Sequence, residues 1–218
     1  YQFEADNQAS PKSRRIRHLP RLGVAAAAVM VLPVAGWMFS EWTPRLLAEP
    51  YWSNYRKIVL AEYTGKDIST SVDGNPESKT ETLQHIMSDL REAAERNPND
   101  SRIHTRLAVQ YTRVFHLLQE ESENSLPLNQ IRDAAETGGF ETHVEMLDWL
   151  TRAFGSNITY AFAAKRHARR AIELNPLDGR AWLAYSELAF LDDAPAGYDR
   201  KCIDQSLRLL PNDASVLY

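Results

Sequence analysis

The chain has 218 residues and a net charge of −4, with a quarter of its residues charged, nine glycines and a single cysteine. That length suits about one or two domains, and the lone cysteine excludes an internal disulfide. Residues 1–21 hold five Lys/Arg against two acids, so a basic leader precedes an acidic body, a distribution that argues against nucleic acid as a partner.

The leader runs through Ser10–Arg21 into Leu22–Phe39, which contains no charged residue. As a helix these residues span about 27 Å, enough for a hydrocarbon core. Pro33 breaks a soluble helix but is tolerated in a membrane. Trp37, Phe39, Trp42, Tyr51, Trp52 and Tyr55 crowd the exit side, as an interfacial aromatic belt does. A core helix is rarely apolar for so long. A cleavable signal peptide has a shorter apolar region, and no small-x-small cleavage site follows here. The segment therefore reads as a transmembrane helix over 22–42, with the basic flank cytoplasmic and the rest on the non-cytoplasmic, periplasmic side.

Next, Glu49–Gly65 predicts a short helix ended by Gly65. Lys66–Thr80 has the composition of a linker, with Asp73-Gly74 and Asn75-Pro76 as turn signals. From Glu81 onward the pattern is helical, with no sustained strand-like alternation. The fold class is all-α.

One helix ending recurs three times, in Leu90–Asp100, Ala168–Asp178 and Ile203–Asp213. An apolar or small residue (Leu90, Ala168, Ile203) is followed three positions later by a small one (Ala93, Ala171, Ser206). Proline comes five positions on (Pro98, Pro176, Pro211) and aspartate two after it (Asp100, Asp178, Asp213). Small residues on one face let a neighbouring helix approach closely. Proline ends the helix, and aspartate caps the next one.

The pattern resembles the tetratricopeptide repeat, in which antiparallel helix pairs stack with a period of about 34 residues. The best match is Gly179–Pro211, with Trp182 at the motif's tryptophan, Ser186 at its small position and Ala189 where an aromatic is usual. The preceding helix supplies Ala164, Ala168, Ala171 and Pro176 at the small and proline positions. In the earlier unit Leu107, Ala108 and Tyr111 match, and His104 stands in the tryptophan's place. The implied architecture is one transmembrane helix followed by a helix-pair solenoid. The expected domains are a leader over 1–21, the span over 22–42, a juxtamembrane helix and linker over 43–80, and the repeat region over 81–218.

Pro98 and Pro176 are 78 residues apart, about 44 more than one repeat period. Residues near 120–155 are thus an insertion. In it Pro127 starts a helix carrying Leu128, Ile131 and Ala135 that stops at Gly138-Gly139. Thr142 and Glu145 then form a capping box ahead of Val144, Leu147, Leu150 and Phe154 on one face. Between Glu120 and Gly155 eight acids oppose two arginines, which disfavours reading this hairpin as a DNA-binding element. At the other end, Asp213 caps a helix that stops after about one turn. The last repeat is expected to be truncated, and the sequence to be a piece of a longer protein.

No catalytic, cofactor-binding or metal-binding constellation is legible. The six histidines do not cluster in sequence, and HExxH, a cysteine pair, a phosphate loop and G-x-S-x-G are all missing. His104, His116 and His167 read as packed or solvated helix residues, Cys202 as a small packed residue, and Asp192-Asp193 as solvated turn residues. The resemblance implies binding of a protein or peptide through a groove on the first helices. Carried over, its positions are Arg102, Thr105, Val109, Thr112 and Arg113, then Arg180, Leu183, Glu187 and Phe190. The family's carboxylate clamp is absent, because Thr105 and Val109 replace its lysine and asparagine. A mixed groove of three arginines with exposed Leu183 and Phe190 suits an extended or helical protein segment. The expected function is a membrane-anchored protein-interaction scaffold. The order of basic loop, span and repeats also resembles the tail of bacterial O-antigen ligase-like glycan enzymes, whose catalytic loops lie upstream of such a tail.

Overall fold

The computed structural model describes residues 19–64, 76–122, 125–195 and 197–212, with side chains from Pro33 to Leu60 and from Thr82 onward. Among these residues the protein is all-helical: α1 (Leu19–Thr64), α2 (Pro76–Arg96), α3 (Ser101–Glu120), α4 (Leu128–Thr137), α5 (His143–Phe154), α6 (Ile158–Leu174), α7 (Gly179–Ser186) and α8 (Tyr198–Leu209). Two units are distinguished, Tyr1–Thr43 and Pro44–Tyr218.

In the first unit the described side chains leave Val34, Trp37, Phe39 and Trp42 all more than half exposed. Ser40 and Thr43 turn their hydroxyls back and donate to the carbonyls of Trp37 and Phe39, the local back-bonding that lets these side chains sit inside a helix. Among the described residues no helix is long and apolar enough to cross a membrane. Residues 22–32, the greater part of the expected span, lie outside those whose side chains are described.

Two expected boundaries shift. The span and the Glu49–Gly65 helix are not separate elements, since α1 runs unbroken from Leu19 to Thr64. No glycine separates Trp37 from Tyr63, and the prolines at 44 and 50 each remove one donor without ending the helix. The linker is shorter than Lys66–Thr80, because α2 already starts at Pro76. Proline suits that first turn, where its missing N–H would have no partner. Residues 65–75 lie outside the described ones.

In the second unit the core gathers one stripe from each helix. Ala48 and Tyr55 of α1 are buried with Ile86, Met87, Leu90 and Ala93 of α2, and with Ile103, Leu107 and Phe115 of α3. The α1 segment from Pro44 therefore packs into the helical body. The most extensive helix contact is α3 on α6, followed by α7 on α8; α2 meets α3, α6 meets α7, and α3 also touches α7. Ala161, Ala164, Ala168 and Ala171 line α6 at 0% exposure. Their small side chains explain the intimacy of the α3–α6 contact.

The three recurrent endings share a hydrogen-bond pattern. The carbonyls of Ala93, Ala171 and Ser206 accept from the N–H groups of Asn97, Asn175 and Leu210 at 2.9, 2.9 and 2.8 Å. After the first two, Asp100 and Asp178 cap α3 and α7 by accepting from the backbone of Arg102 and Arg180 at 3.0 and 3.1 Å. Asp213 lies outside the described residues.

Helices α4 and α5 lie between α3 and α6 in the chain. Pro127 precedes α4, which buries Leu128, Ile131 and Ala135. Thr142 caps α5 by accepting from Glu145 N–H, and the Glu145 carboxylate reaches back to Glu141 N–H. The buried stripe of α5 is Met146, Leu150 and Phe154. Val144, expected on that face, is 71% exposed; two positions before Met146 it points to the other side. Gly155 ends α5 at φ 55°, ψ −134°, a conformation open to glycine because it has no Cβ.

Candidate interaction surface

The expected groove residues separate into two groups. Arg102, Val109, Arg113, Arg180 and Glu187 are exposed on or just beyond α3 and α7, and Leu183 is half-buried. Thr105, Thr112 and Phe190 are buried, Phe190 at the wall of a cavity of about 390 Å³ shared with Phe140, Met146 and Tyr198. Thr105 donates to Asp178 Oδ2 at 2.8 Å, tying α3 to the cap of α7. Thr112 turns its hydroxyl onto Ala108 O. Phe190 is inward because α7 stops at Ser186 and Ala189–Leu191 tightens into a 3-10 turn. That turn rotates an apolar side chain off the helical face and into the core. Arg102 is held by Asp100 at 3.0 and 2.6 Å, with its guanidinium 5.7 Å from the Trp52 ring centre.

The packing residues stand where helices meet. Ala164, Ala168 and Ala171 are fully buried and Ser186 nearly so, with Ser186 Oγ donating to Leu183 O. Trp182 is half-buried and sends its indole N–H to Pro176 O at 2.8 Å.

A feature outside the expected groove runs along α6. Lys165–Arg170 reads Lys-Arg-His-Ala-Arg-Arg, and its basic members line an open groove of about 750 Å³ with His104, Leu147, Phe162, Glu173 and Asp192. Asp192 is a junction rather than a solvated turn residue. It pairs with Lys165 Nζ at 2.8 Å and accepts from Tyr185 Oη at 2.5 Å. Burial pushes its carboxyl up, but the bonds from Lys165 and Tyr185 and the Lys165 and Arg169 charges outweigh that and hold its pKa below the usual value.

At the base of the groove two histidines meet. His104 Nε2 lies 2.9 Å from Pro98 O, and His104 Nδ1 lies 2.9 Å from His167 Nδ1. A carbonyl only accepts, so Nε2 of His104 carries the hydrogen. In neutral His104 Nδ1 is then the acceptor, and His167 Nδ1–H donates to it. Tyr111 stacks on His167 at 5.5 Å with planes 8° apart, and Arg91 donates to Tyr111 Oη at 2.9 Å. Burial, then His104, Arg166 and Arg91, lowers the His167 pKa to about 4. Burial likewise lowers that of His104. Both rings are neutral near pH 7, so the charge of the groove comes from its arginines and lysine.

The Lys165–Arg170 run is visible in the sequence, but no motif there marks it as a site. Its neighbour Asp192 and the pairing of His104 with His167, 63 positions apart, come only from the tertiary contacts. Among the described residues no cluster of three or more His, Cys, Asp or Glu could hold a metal ion. Compared with known protein families and with curated proteins, the chain matches none.

Proposed function

We propose that the helices form a tetratricopeptide-like array acting as a protein-binding scaffold, anchored in a membrane through residues 22–42 and displayed on the non-cytoplasmic side. The observation that carries the array reading is the matched pair of junctions at Asn97–Asp100 and Asn175–Asp178, with the same turn bonds and the same cap. Stacked helix pairs need each unit to receive the next at one angle, and a repeated junction delivers that angle. The order of contacts, α2 to α3, α3 to α6, α6 to α7 and α7 to α8, with α3 also touching α7, suits such a stack with α4 and α5 inserted. Pro44–Thr64 of α1 extends it by one helix that the motif pattern did not include.

Two further features support the anchored scaffold. Leu22–Phe39 is uncharged behind a basic leader, and Trp37, Phe39 and Trp42 are exposed as residues of a bilayer interface would be. The chain also presents exposed arginines and apolar residues together, a mixture that suits extended peptide partners.

Binding is tested by panning a displayed random-peptide library against the detergent-solubilised full chain. Enrichment of a shared peptide pattern with saturable binding is expected; a library that never converges overturns the scaffold reading. Topology is tested separately in sealed vesicles of native orientation, where residues after Glu49 should resist protease added to the cytoplasmic side. Digestion from that side overturns the orientation.

A further inference from the structure

We propose that the groove along α6 binds a short acidic peptide segment carrying one apolar side chain near an end. This rests on the protein-binding reading above and names the partner and the place. Phe162, Arg166, Arg169, Arg170 and Glu173 recur at helical spacing along α6, so they form one stripe. The Arg169 and Arg170 side chains are 63% and 42% exposed, and Arg166 is exposed. Four cations therefore line the groove against two acids, Glu173 and Asp192, in a chain whose net charge is −4. Asp192 is already committed to Lys165 and Tyr185. Glu173 pairs with Arg169 and Arg170 at 3.5 Å, and Arg170 also donates to Asn99 Oδ1 at 3.1 Å. An incoming group therefore meets the excess of cations over acids rather than unpaired arginines.

The stripe from Phe162 to Glu173 is about 16 Å long, the length of about five residues of extended chain. Its two ends differ. At the start of the stripe Phe162 and, from α5, Leu147 are half-buried apolar walls. Further along come the guanidinium groups. A partner matched to this order places an apolar side chain against Leu147 and Phe162 and its carboxylates beside Arg166, Arg169 and Arg170. Guanidinium groups bind carboxylates through paired hydrogen bonds, a geometry that single point charges lack.

The stripe is one helix wide. On α5, which supplies Leu147, Glu145 and Asp148 are exposed, and residues 120–155 carry eight acids against two arginines. A broad polyanion or an anionic bilayer pressed onto α6 would meet these carboxylates and be repelled. A peptide narrow enough to follow the stripe avoids them.

The test is fluorescence anisotropy on the detergent-solubilised full chain with a labelled decapeptide of Glu and Asp residues and one terminal-side Leu. Two further peptides replace Leu by Ser, or every acid by Lys. Saturable binding of the acidic peptide is expected, weaker for the Ser version, absent for the Lys version and falling with added salt. The double variant Arg166→Glu, Arg169→Glu should lose about tenfold or more in affinity, and Arg166→Gln about twofold to fivefold. Circular dichroism melting of each variant shows whether it is folded, and Arg166→Gln keeps the test open should the double variant unfold. Affinity unchanged in folded variants overturns the proposal, as does binding of polyphosphate or of phosphatidylglycerol vesicles where the peptide does not bind. Failure of the acidic peptide while a panned peptide of other composition binds removes this site alone. Failure of both removes the scaffold reading with it.

Discussion

His104 and Trp182 make the same hydrogen bond 78 positions apart. Each ring nitrogen donates to the carbonyl of the proline six residues earlier, His104 Nε2 to Pro98 at 2.9 Å and Trp182 Nε1 to Pro176 at 2.8 Å. The two rings latch the helix they sit on to the turn that introduces it. They differ in the second nitrogen, which only the imidazole has, and His104 uses it to accept from His167. Trp182→Phe should therefore cost about 0.5–1.5 kcal/mol, the worth of one hydrogen bond. His104→Phe also strands the His167 donor and should cost about 1–3 kcal/mol. Urea unfolding of both variants checks the order; equal costs would mean that the His104–His167 contact contributes nothing.

Acid should weaken the fold through His167. Its pKa is lowered from 6.5 to about 4 in the folded protein, so between those values the unfolded chain binds a proton that the folded chain does not. Stability then falls as pH drops through that window, by up to about 1.4 kcal/mol per pH unit for one fully coupled site. His104, also lowered, adds to the same slope. Melting temperatures from pH 7 to pH 4 should show the loss, and His167→Gln should flatten it. An unchanged slope in that variant would assign the acid sensitivity to other groups.

The two caps should not be equal in worth. Asp100 and Asp178 each accept from the backbone two residues on; Asp100 adds bonds from the exposed Arg102 guanidinium of its own helix, whereas Asp178 accepts from Thr105 on the preceding helix pair. Asp178→Ala should cost about 1–2 kcal/mol, more than Asp100→Ala. In the Thr105→Val background the difference should shrink, because the shared bond is already gone. Denaturation of the four proteins of that cycle measures the coupling.

Gly179, at the start of α7, packs tightly against the end of α8. A Cβ there would sit 2.7 Å from Leu210 Cγ and 3.0 Å from Leu209 Cβ, while Ser206 Oγ donates to Gly179 O at 2.7 Å. Gly179→Ala should overpack this contact and cost about 1–3 kcal/mol. Hydrogen exchange should speed up in Tyr198–Leu209 and change little in Ile158–Leu174. Uniform acceleration would mean that the two helix pairs unfold as one unit.

The sequence by itself determined that the chain is helical and where helices end. Proline forbids the next turn, aspartate caps α3 and α7 and Thr142 caps α5, all through groups within a few residues, so the junctions at Pro98 and Pro176 and the starts of α3, α5 and α7 are legible locally. Small residues at helical spacing likewise announced Ala164, Ala168 and Ala171 as contact points. Tertiary structure decided which side chains those helices leave outside. Thr105 faces inward because Asp178, 73 positions away, offers it an acceptor. Phe190 turns inward because α7 stops early and α4 stands beside the following 3-10 turn. The α6 groove required both kinds of information. Its cations are a run in the sequence, but the His104–His167 bond at its base and the Asp192–Lys165 pair at its edge depend on helices meeting in space. Local chemistry sets where a helix begins and ends, whereas the identity of the neighbour that a face meets depends on long-range packing that a periodic pattern does not encode.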